Sequence, residues 1–249
     1  MVRTLIRRGA LTATAVLGLE AAYAVLRPSP TLESFDPSGE FGDPGDPPLR
    51  VVALGDSSVT APGVSTPDEI WVSVVSRRLA DRGRHVILES FAVGGSTARD
   101  VIEAQMEDAI LFGPDLILLS VGANDVIKGV PRRQFAANLA HLVGEFADTG
   151  AIVVQSGVGV MGTIPRLYPP LSSLMSRRAA TFDQVHWQVA ETYGTHVVDQ
   201  RSDDWALWNR DRSLWAADHF HVSAAGHARW AETTWRTVEP LVGRASGSG

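Results

Sequence analysis

Short apolar runs alternate with helical patterns along most of this chain. The run Val51 to Leu54 holds only aliphatic residues and predicts a strand that is buried on both faces. Four further strands are expected at His85 to Ser90, Leu116 to Val121, Ala151 to Gln155 and Thr195 to Asp199. A regular alternation of this kind is typical of a parallel sheet whose strands are connected by helices.

Five helical patterns separate or follow the predicted strands. The first begins with Thr66 as a capping residue, Pro67 at the first helical position and Glu69 to complete a capping box. The other four are expected from about Ala98 to Leu111, from Pro131 to Gly150, from Pro170 to about Tyr193, and from about Ser223 onward. The predicted fold is therefore an α/β domain, a three-layer α/β/α sandwich around a five-stranded parallel sheet.

The first 27 residues differ from the rest of the chain. Three arginines within the first eight residues precede an apolar stretch from Gly9 to Leu26, whose only charged residue is Glu20. This is the pattern of an export signal. Ala22, Tyr23 and Ala24 match a small-x-small cleavage site, which would give a secreted protein. The alternative is a retained membrane anchor, although the stretch is shorter than the ~20 residues that span a bilayer.

Composition sets the remaining boundaries. Residues 28–48 hold six prolines and little that could be buried, so they predict a linker. Residues 49–243 then form the domain, and residues 244–249 are expected to be a disordered tail. A net charge of -6 excludes the basic footprint of a nucleic-acid partner. The absence of cysteine excludes disulfides, a thiolate nucleophile and cysteine-ligated metals.

Several predicted strand ends carry residues suited to ester or amide cleavage. Ser57 follows the first strand at the edge where open α/β sheets bind ligands, and we take it as the candidate nucleophile. Asp218 lies three residues before His221, so its carboxylate could orient that imidazole as a general base. Oxyanion donors would be the Ser57 backbone N–H, an N–H near Gly95 and the Asn124 amide. Taken alone, the residues around Ser57 could also be an ordinary turn.

These residues resemble the SGNH branch of the GDSL hydrolases. The four marked blocks of that family appear in order as Gly55-Asp56-Ser57, Gly95, Gly122-Ala123-Asn124-Asp125 and Asp218-His219-Phe220-His221. The departures from the family pattern are Ser58 in place of Leu, Ser90 in place of Asn, and Val222 in place of Pro. The resemblance implies a flavodoxin-like fold and metal-independent esterase or lipase activity. It also implies a triad of Ser57, Asp218 and His221, with an oxyanion hole of Ser57, Gly95 and Asn124.

Other patterns compete with this interpretation. Gly157 to Gly162 matches a dinucleotide-binding fingerprint, but Pro165 follows where the required helix would begin, so nucleotide binding is rejected. That loop could instead form the wall of an acyl pocket through Met161, Ile164, Leu167 and Tyr168, or simply pack on the surface. A metal cluster of Asp218, His219, His221 and His227 is a minor alternative. Trp205, Trp208 and Trp215 could stack on sugars or merely pack against the domain.

The sequence therefore predicts an exported serine ester hydrolase, either secreted or anchored at the cell envelope. The expected partner is a small-molecule ester, either a lipid or an acylated carbohydrate, with no cofactor and no nucleic acid. Membrane association through the N-terminal segment stays open, as does the oligomeric state. Two alternatives remain: a non-catalytic envelope protein that binds lipid or glycan, and an acyltransferase that uses the same residues.

Overall fold

One mixed sheet of six strands organises the molecule. The computed structural model describes residues 16–24, 26–202 and 205–245. The strands are β1 (Gly39–Phe41), β2 (Pro48–Gly55), β3 (His85–Ser90), β4 (Leu116–Ser120), β5 (Ile152–Ser156) and β6 (His196–Val198). Their order across the sheet is β1-β3-β2-β4-β5-β6; β2 to β6 are parallel, and β1 is antiparallel to β3.

Helices cover both faces of this sheet. The helices of the described residues are α1 (residues 16–24), α2 (Ser57–Thr60), α3 (Trp71–Ala80), α4 (Ala98–Ala104), α5 (Met106–Phe112), α6 (Ala123–Ile127), α7 (Arg132–Asp148), α8 (Leu171–Tyr193), α9 (Trp205–Arg210) and α10 (Ala224–Ala245). Short 3-10 helices lie at Pro67–Glu69, Met161–Thr163 and Arg212–Leu214. The three-layer α/β/α class predicted from the sequence is confirmed.

Alternation along β2 explains why the sheet is buried on both faces. Val52 and Leu54 belong to an apolar cluster that includes residues of α4, α5, α7 and α8. Val51 and Ala53 point to the opposite face and join a second cluster with residues of α3 and α10. A strand with no polar face needs helices on both sides, because burial of apolar surface is its main stabilising contribution.

The predicted count of five strands was one too few. Strand β1 lies inside the segment predicted as a linker, where Gly39 pairs with Leu88 and Phe41 pairs with Val86 of β3. Three residues with a single large apolar side chain are too short to produce a visible alternation. The rest of residues 28–38 has no helix or strand, as a proline-rich composition predicts.

Two helix predictions also need correction. The helix expected to begin at Pro67 starts as a 3-10 turn that has the predicted capping box with Glu69, and α3 begins only at Trp71. The helix predicted from Ala98 to Leu111 is divided into α4 and α5 at Gln105, whose backbone leaves the helical region. The Gln105 side chain bonds to β2, which gives this break a local reason.

The N-terminal predictions fall partly outside the described residues. Residues 1–15, which include the three arginines, and residues 246–249 of the predicted tail lie outside them. Residues 16–24 are helical. Within the described part of the chain, no helix has both the length and the hydropathy needed to cross a bilayer. Export and signal cleavage stay predictions.

Candidate active site

The candidate nucleophile lies where β2 turns sharply into α2. Gly55 has φ 136, and a Cβ at this position would lie 1.9 Å from the Ser120 carbonyl oxygen of the neighbouring strand. Only glycine fits such a close approach. Asp56 caps α2 by accepting a 2.9 Å hydrogen bond from the Ser58 N–H. Ser57 is thus the first helical residue, and its own N–H has no partner within the helix.

A buried carboxylate lies directly behind the candidate oxyanion hole. Asp56 is 3% exposed, and Asn124 Nδ2 donates to its Oδ2 at 2.8 Å. Burial raises the pKa of Asp56, and hydrogen bonds from Ser58 and Asn124 act in the opposite direction. Because the Asn124 amide has a second N–H, it can bond to Asp56 and still donate to a substrate. Sequence reasoning gave Asp56 no role.

The glycine loop after β3 supplies the third candidate donor. Gly95 has φ 85 at the tip of a turn in which Val93 N–H donates to Gly55 O at 3.1 Å. The Gly95 carbonyl accepts from Lys128 Nζ at 2.8 Å, whereas its N–H has no acceptor among the described residues. This N–H is therefore free to bond to an oxyanion.

Two buried polar side chains hold these strand ends together. Gln105 accepts from Gly55 N–H at 2.9 Å and donates to Gly55 O at 3.0 Å and to Ser96 Oγ at 3.1 Å. Asp125 is fully buried and accepts from the Ala98 N–H at 2.9 Å, so it joins the start of α4 to α6. Burial raises the pKa of Asp125 to about 6. This contact between two separate helices could not be predicted from the sequence.

The predicted base and its orienting acid form a tight local pair. His221 Nδ1 lies 2.6 Å from Asp218 Oδ2, and Asp218 Oδ1 accepts from the N–H groups of Phe220 and His221 at 2.9 Å each. Burial alone would raise the pKa of Asp218, but these three hydrogen bonds outweigh it and lower the pKa to about 2. The acid therefore stays ionised beside the imidazole.

Backbone geometry explains how the side chains of Asp218 and His221, which are only three residues apart, come into contact. His219 has φ 61, a left-handed conformation that reverses the chain between the two catalytic candidates. His219 N–H donates to Ala216 O at 2.9 Å, and Ala216 N–H donates to His221 O at 2.8 Å. Buried Arg166 adds a 3.0 Å bond from Nη1 to Asp218 O. The turn is thus held both by hydrogen bonds between its own residues and by Arg166.

Ser57 and His221 line the same two cavities, with Asn124 also in both. Among the described residues no hydrogen bond joins the Ser57 hydroxyl to the imidazole. In hydrolases without substrate this bond is often long and tightens in the substrate complex. The structure brings all five candidate residues of the sequence analysis to one region.

An apolar cavity of about 160 Å³ extends inward from Ser57. Met161 and Ile164 of the β5–α8 loop line it, in agreement with one of the two alternatives for that loop, whereas Leu167 and Tyr168 do not. Trp205, Trp208 and Trp215 also line it, and Trp208 packs edge-on against Trp215 with ring centroids 5.5 Å apart. These tryptophans therefore belong to the cavity wall as well as to the packing of the domain.

The competing site hypotheses find little support in the geometry. In the described ranges, no group of three or more His, Asp or Glu side chains converges as metal ligands would. His227 is buried on α10, where burial lowers its pKa to about 3, and it packs against Trp230. The dinucleotide-like stretch is coil up to Val160 and ends within the short 3-10 helix Met161–Thr163, so it lacks the α-helix that a pyrophosphate requires.

Comparison with known proteins gives consistent results. The GDSL-like Lipase/Acylhydrolase family model matches residues 53–229. The chain is 26% identical to Esterase TesA of Pseudomonas aeruginosa over 192 residues, 77% of this chain and 89% of that protein. It is 25% identical to an arylesterase of Vibrio mimicus over 150 residues, 60% of this chain and 73% of that protein.

Solved structures agree with these sequence matches. A crystal structure of TesA superposes with a TM-score of 0.64 at 25% identity, covering 77% of this chain and 99% of that one. Axe2, an acetylxylan esterase of Geobacillus stearothermophilus, gives a TM-score of 0.59 at 23% identity, covering 76% and 93%. The similarity to Axe2 is one of fold alone.

Proposed function

The chain belongs to the GDSL-like lipase/acylhydrolase family and is a carboxylic ester hydrolase of that type, and we propose that it works through an acyl-enzyme on Ser57. The observation that carries this proposal is the 2.6 Å pair of His221 and Asp218, both of which line one space together with Ser57 at the end of β2. A nucleophile, a base and a group that orients the base are the three parts that covalent ester cleavage needs.

Each step follows from the atoms present. Ser57 Oγ attacks the ester carbonyl carbon while His221 Nε2 takes the hydroxyl proton, and Asp218 stabilises the resulting imidazolium. The oxyanion then accepts hydrogen bonds from the N–H groups of Ser57 and Gly95 and from Asn124 Nδ2. The carbon–oxygen bond breaks, and His221 returns the proton to the leaving alcohol. Water, deprotonated by His221, attacks the acyl-enzyme and regenerates the serine.

The size of the apolar cavity supports an acyl group of medium length. An engineered protein cavity of about 150 Å³ lined by Leu, Ile and Phe holds one benzene molecule. The cavity beside Ser57 has a similar volume of about 160 Å³, with an apolar lining that includes Val121 and Phe220. We therefore expect acyl chains of about six carbons to be preferred, since longer chains exceed that volume.

The test is hydrolysis of p-nitrophenyl esters, from acetyl to palmitoyl, by the full chain and by Ser57→Ala. Ser65→Ala is the matched control, because Ser65 is an exposed serine far along the following loop. We expect Ser57→Ala to lower kcat by about 10³-fold or more, with Ser65→Ala unchanged. Wild-type rates in a folded Ser57→Ala variant, or no turnover of any ester by the wild type, would overturn the proposal.

Product analysis separates hydrolysis from acyl transfer. With p-nitrophenyl hexanoate in water and added glycerol, a hydrolase releases mainly hexanoic acid. Glyceryl hexanoate as the main product at millimolar glycerol would make the enzyme an acyltransferase that uses the same residues. The triad and its test with Ser57→Ala are common to both outcomes.

We further propose that residues 1–27 direct export. Three early arginines and the apolar stretch to Leu26 support this, as does the small-x-small match at Ala22–Ala24. Expression of the full chain followed by cell fractionation and N-terminal sequencing is the test. A chain found only in the cytoplasm with an intact N-terminus would contradict the proposal.

A further inference from the structure

The chain passes over the candidate active site before it enters the domain. Residues 28–35, called the strap below, precede the family-matched residues 53–229. Four strap residues line a space of about 380 Å³: Ser29, Pro30, Leu32 and Ser34. The other side of this space is formed by the candidate catalytic residues, with Ser57, Gly95, Asn124 and His221 among them. The segment predicted as a linker therefore contributes a wall to the site.

Contacts at both ends hold the strap in this position. At its C-terminal end, Phe35 N–H donates to Thr60 O at 2.8 Å, and its ring packs on the apolar cluster beneath α3 and α10. Just before the strap, the buried Arg166 guanidinium donates to the carbonyls of Ala24, at 2.6 Å, and Arg27. The same guanidinium binds Asp218 O, so the base of the strap and the triad turn share one anchor.

Leu32 is placed to contact whatever occupies the space. It is half-buried, although its neighbours Thr31 and Glu33 are exposed, and it belongs to none of the apolar clusters of the described residues. Its side chain lines the space beneath the strap. Cleavage after Ala24, one of the two alternatives for the N-terminal segment, would leave the strap and the Arg27 carbonyl in the mature chain.

We propose that the strap is the wall of the leaving-group subsite and selects polyhydroxylated alcohols, an inference that rests on the proposed ester hydrolysis. The two arms of an ester bound at Ser57 must enter different spaces. The apolar cavity is the less open of the two and suits the acyl group, which stays bound through the covalent intermediate, whereas the alcohol must depart and the space beneath the strap is more open.

The chemistry of the strap indicates the kind of alcohol. Pro30 and Leu32 offer an apolar surface for a carbon skeleton, and the flanking hydroxyls of Ser29 and Ser34 can bond to free hydroxyls. Glycerol and a sugar share this combination, and a simple alkanol lacks the hydroxyls. Both kinds of polyol therefore belong in the test.

The experiment uses hexanoate esters of propanol, glycerol and methyl glucoside with the full chain. Leu32→Ala and Ser34→Ala are compared with Glu33→Ala, an exposed strap residue that does not line the space. We expect Ser34→Ala to lower kcat/KM for the polyol esters about 5-fold relative to propyl hexanoate, whereas Leu32→Ala should lower kcat/KM for all three esters, because all three have a carbon skeleton that Leu32 can contact. Glu33→Ala should leave the ratio unchanged. Glycerol and glucoside esters together reveal which polyol the wall fits better.

A second series of esters keeps the alcohol constant and varies the acyl chain, so that it reports acyl preference alone. On p-nitrophenyl butanoate, hexanoate and octanoate, Leu32→Ala should keep the wild-type order of preference. Equal ratios for all variants, or a change in acyl preference instead of alcohol preference, would overturn the strap proposal while the hydrolase stands. A wild type that cleaves none of these esters would instead overturn the proposed function.

Discussion

The two halves of the candidate site are built on different supports. Ser57, Gly95 and Asn124 follow three adjacent strands, β2, β3 and β4, and buried polar groups such as Gln105 and Asp56 join those strand ends. Asp218 and His221 belong instead to one turn ahead of α10 that is stabilised mainly by bonds within itself.

The positions of the catalytic groups are fixed in a different way in each half. Oxyanion donors must be fixed relative to one another across three strands, and the sheet register together with buried hydrogen bonds achieves this. The base has to be hydrogen-bonded to its acid and held within reach of Ser57, and a short turn can do both. Substitutions of the buried residues that join the strand ends should therefore displace oxyanion donors that they do not themselves provide. Substitutions in the turn should affect only the Asp218–His221 pair.

The largest effect is expected at the base. His221→Gln removes the proton acceptor and should lower kcat for p-nitrophenyl hexanoate about 10³-fold or more, with the far-UV circular dichroism unchanged. His141→Gln is the matched control, because His141 is an exposed histidine on α7. A loss below tenfold in His221→Gln would contradict the assigned role.

A loss of about 10²- to 10³-fold in kcat is expected for Asn124→Ala, since one oxyanion donor is removed. Asp56→Asn keeps Asn124 but replaces the carboxylate that accepts from it, so we expect a smaller loss of about tenfold. If Asp56→Asn were as damaging as Asn124→Ala, Asp56 would do more than orient the amide. Steady-state kinetics with both variants give the comparison.

A cavity substitution should change specificity more than rate. Val160 lines the apolar cavity and is only half-buried, so Val160→Phe can reduce the space without disturbing the core. We expect the ratio of hexanoyl to acetyl kcat/KM to fall about tenfold while acetyl ester cleavage continues. An unchanged ratio would place the acyl chain elsewhere.

The smallest effect concerns stability and pH. The pKa of Asp125 is raised to about 6 by burial, so its contribution to stability is present below the ordinary value of 3.8 and is lost as pH rises through about 6. Asp125→Asn removes this titration. Relative to wild type, the variant should therefore gain about 1–1.5 kcal/mol in free energy of unfolding between pH 5 and pH 8.

Urea unfolding at both pH values measures this difference, and Asp148→Asn is the control at an exposed position. Asp218 titrates far below this window, because its pKa is lowered to about 2 and its stabilising contribution is lost only as pH falls from 3.8 toward 2. Equal stability changes for Asp125→Asn at pH 5 and pH 8 would contradict the interpretation.

The sequence predicted most of what depends on local patterns. Apolar runs predicted β2 to β6, and the turn before α10 placed Asp218 near His221 because only three residues separate them. The catalytic roles of these residues stay predictions. Strand β1 was not predicted, because three residues are too few to show a period. The division of the helix at Gln105 was not predicted either, because its cause is the contact of Gln105 with β2.

What the sequence could not provide depends on contacts between distant residues. Gln105 binds Gly55 from 50 positions away, Asn124 binds Asp56 from 68, and Arg166 binds the Ala24 carbonyl from 142. No periodicity or motif encodes such pairs, since each side chain alone resembles an ordinary polar residue. The position of the strap over the site escaped for the same reason, because its composition predicts only an extended segment.

Ser57 is assigned as the nucleophile, and covalent labelling of its hydroxyl examines this assignment without any substrate. The full chain is treated with a fluorophosphonate probe, digested, and mapped by mass spectrometry, beside Ser57→Ala and heat-unfolded wild type. We predict one adduct on Ser57, loss of esterase activity in proportion to labelling, and no adduct in either control. An adduct on another residue, or full activity after complete labelling of Ser57, would contradict it.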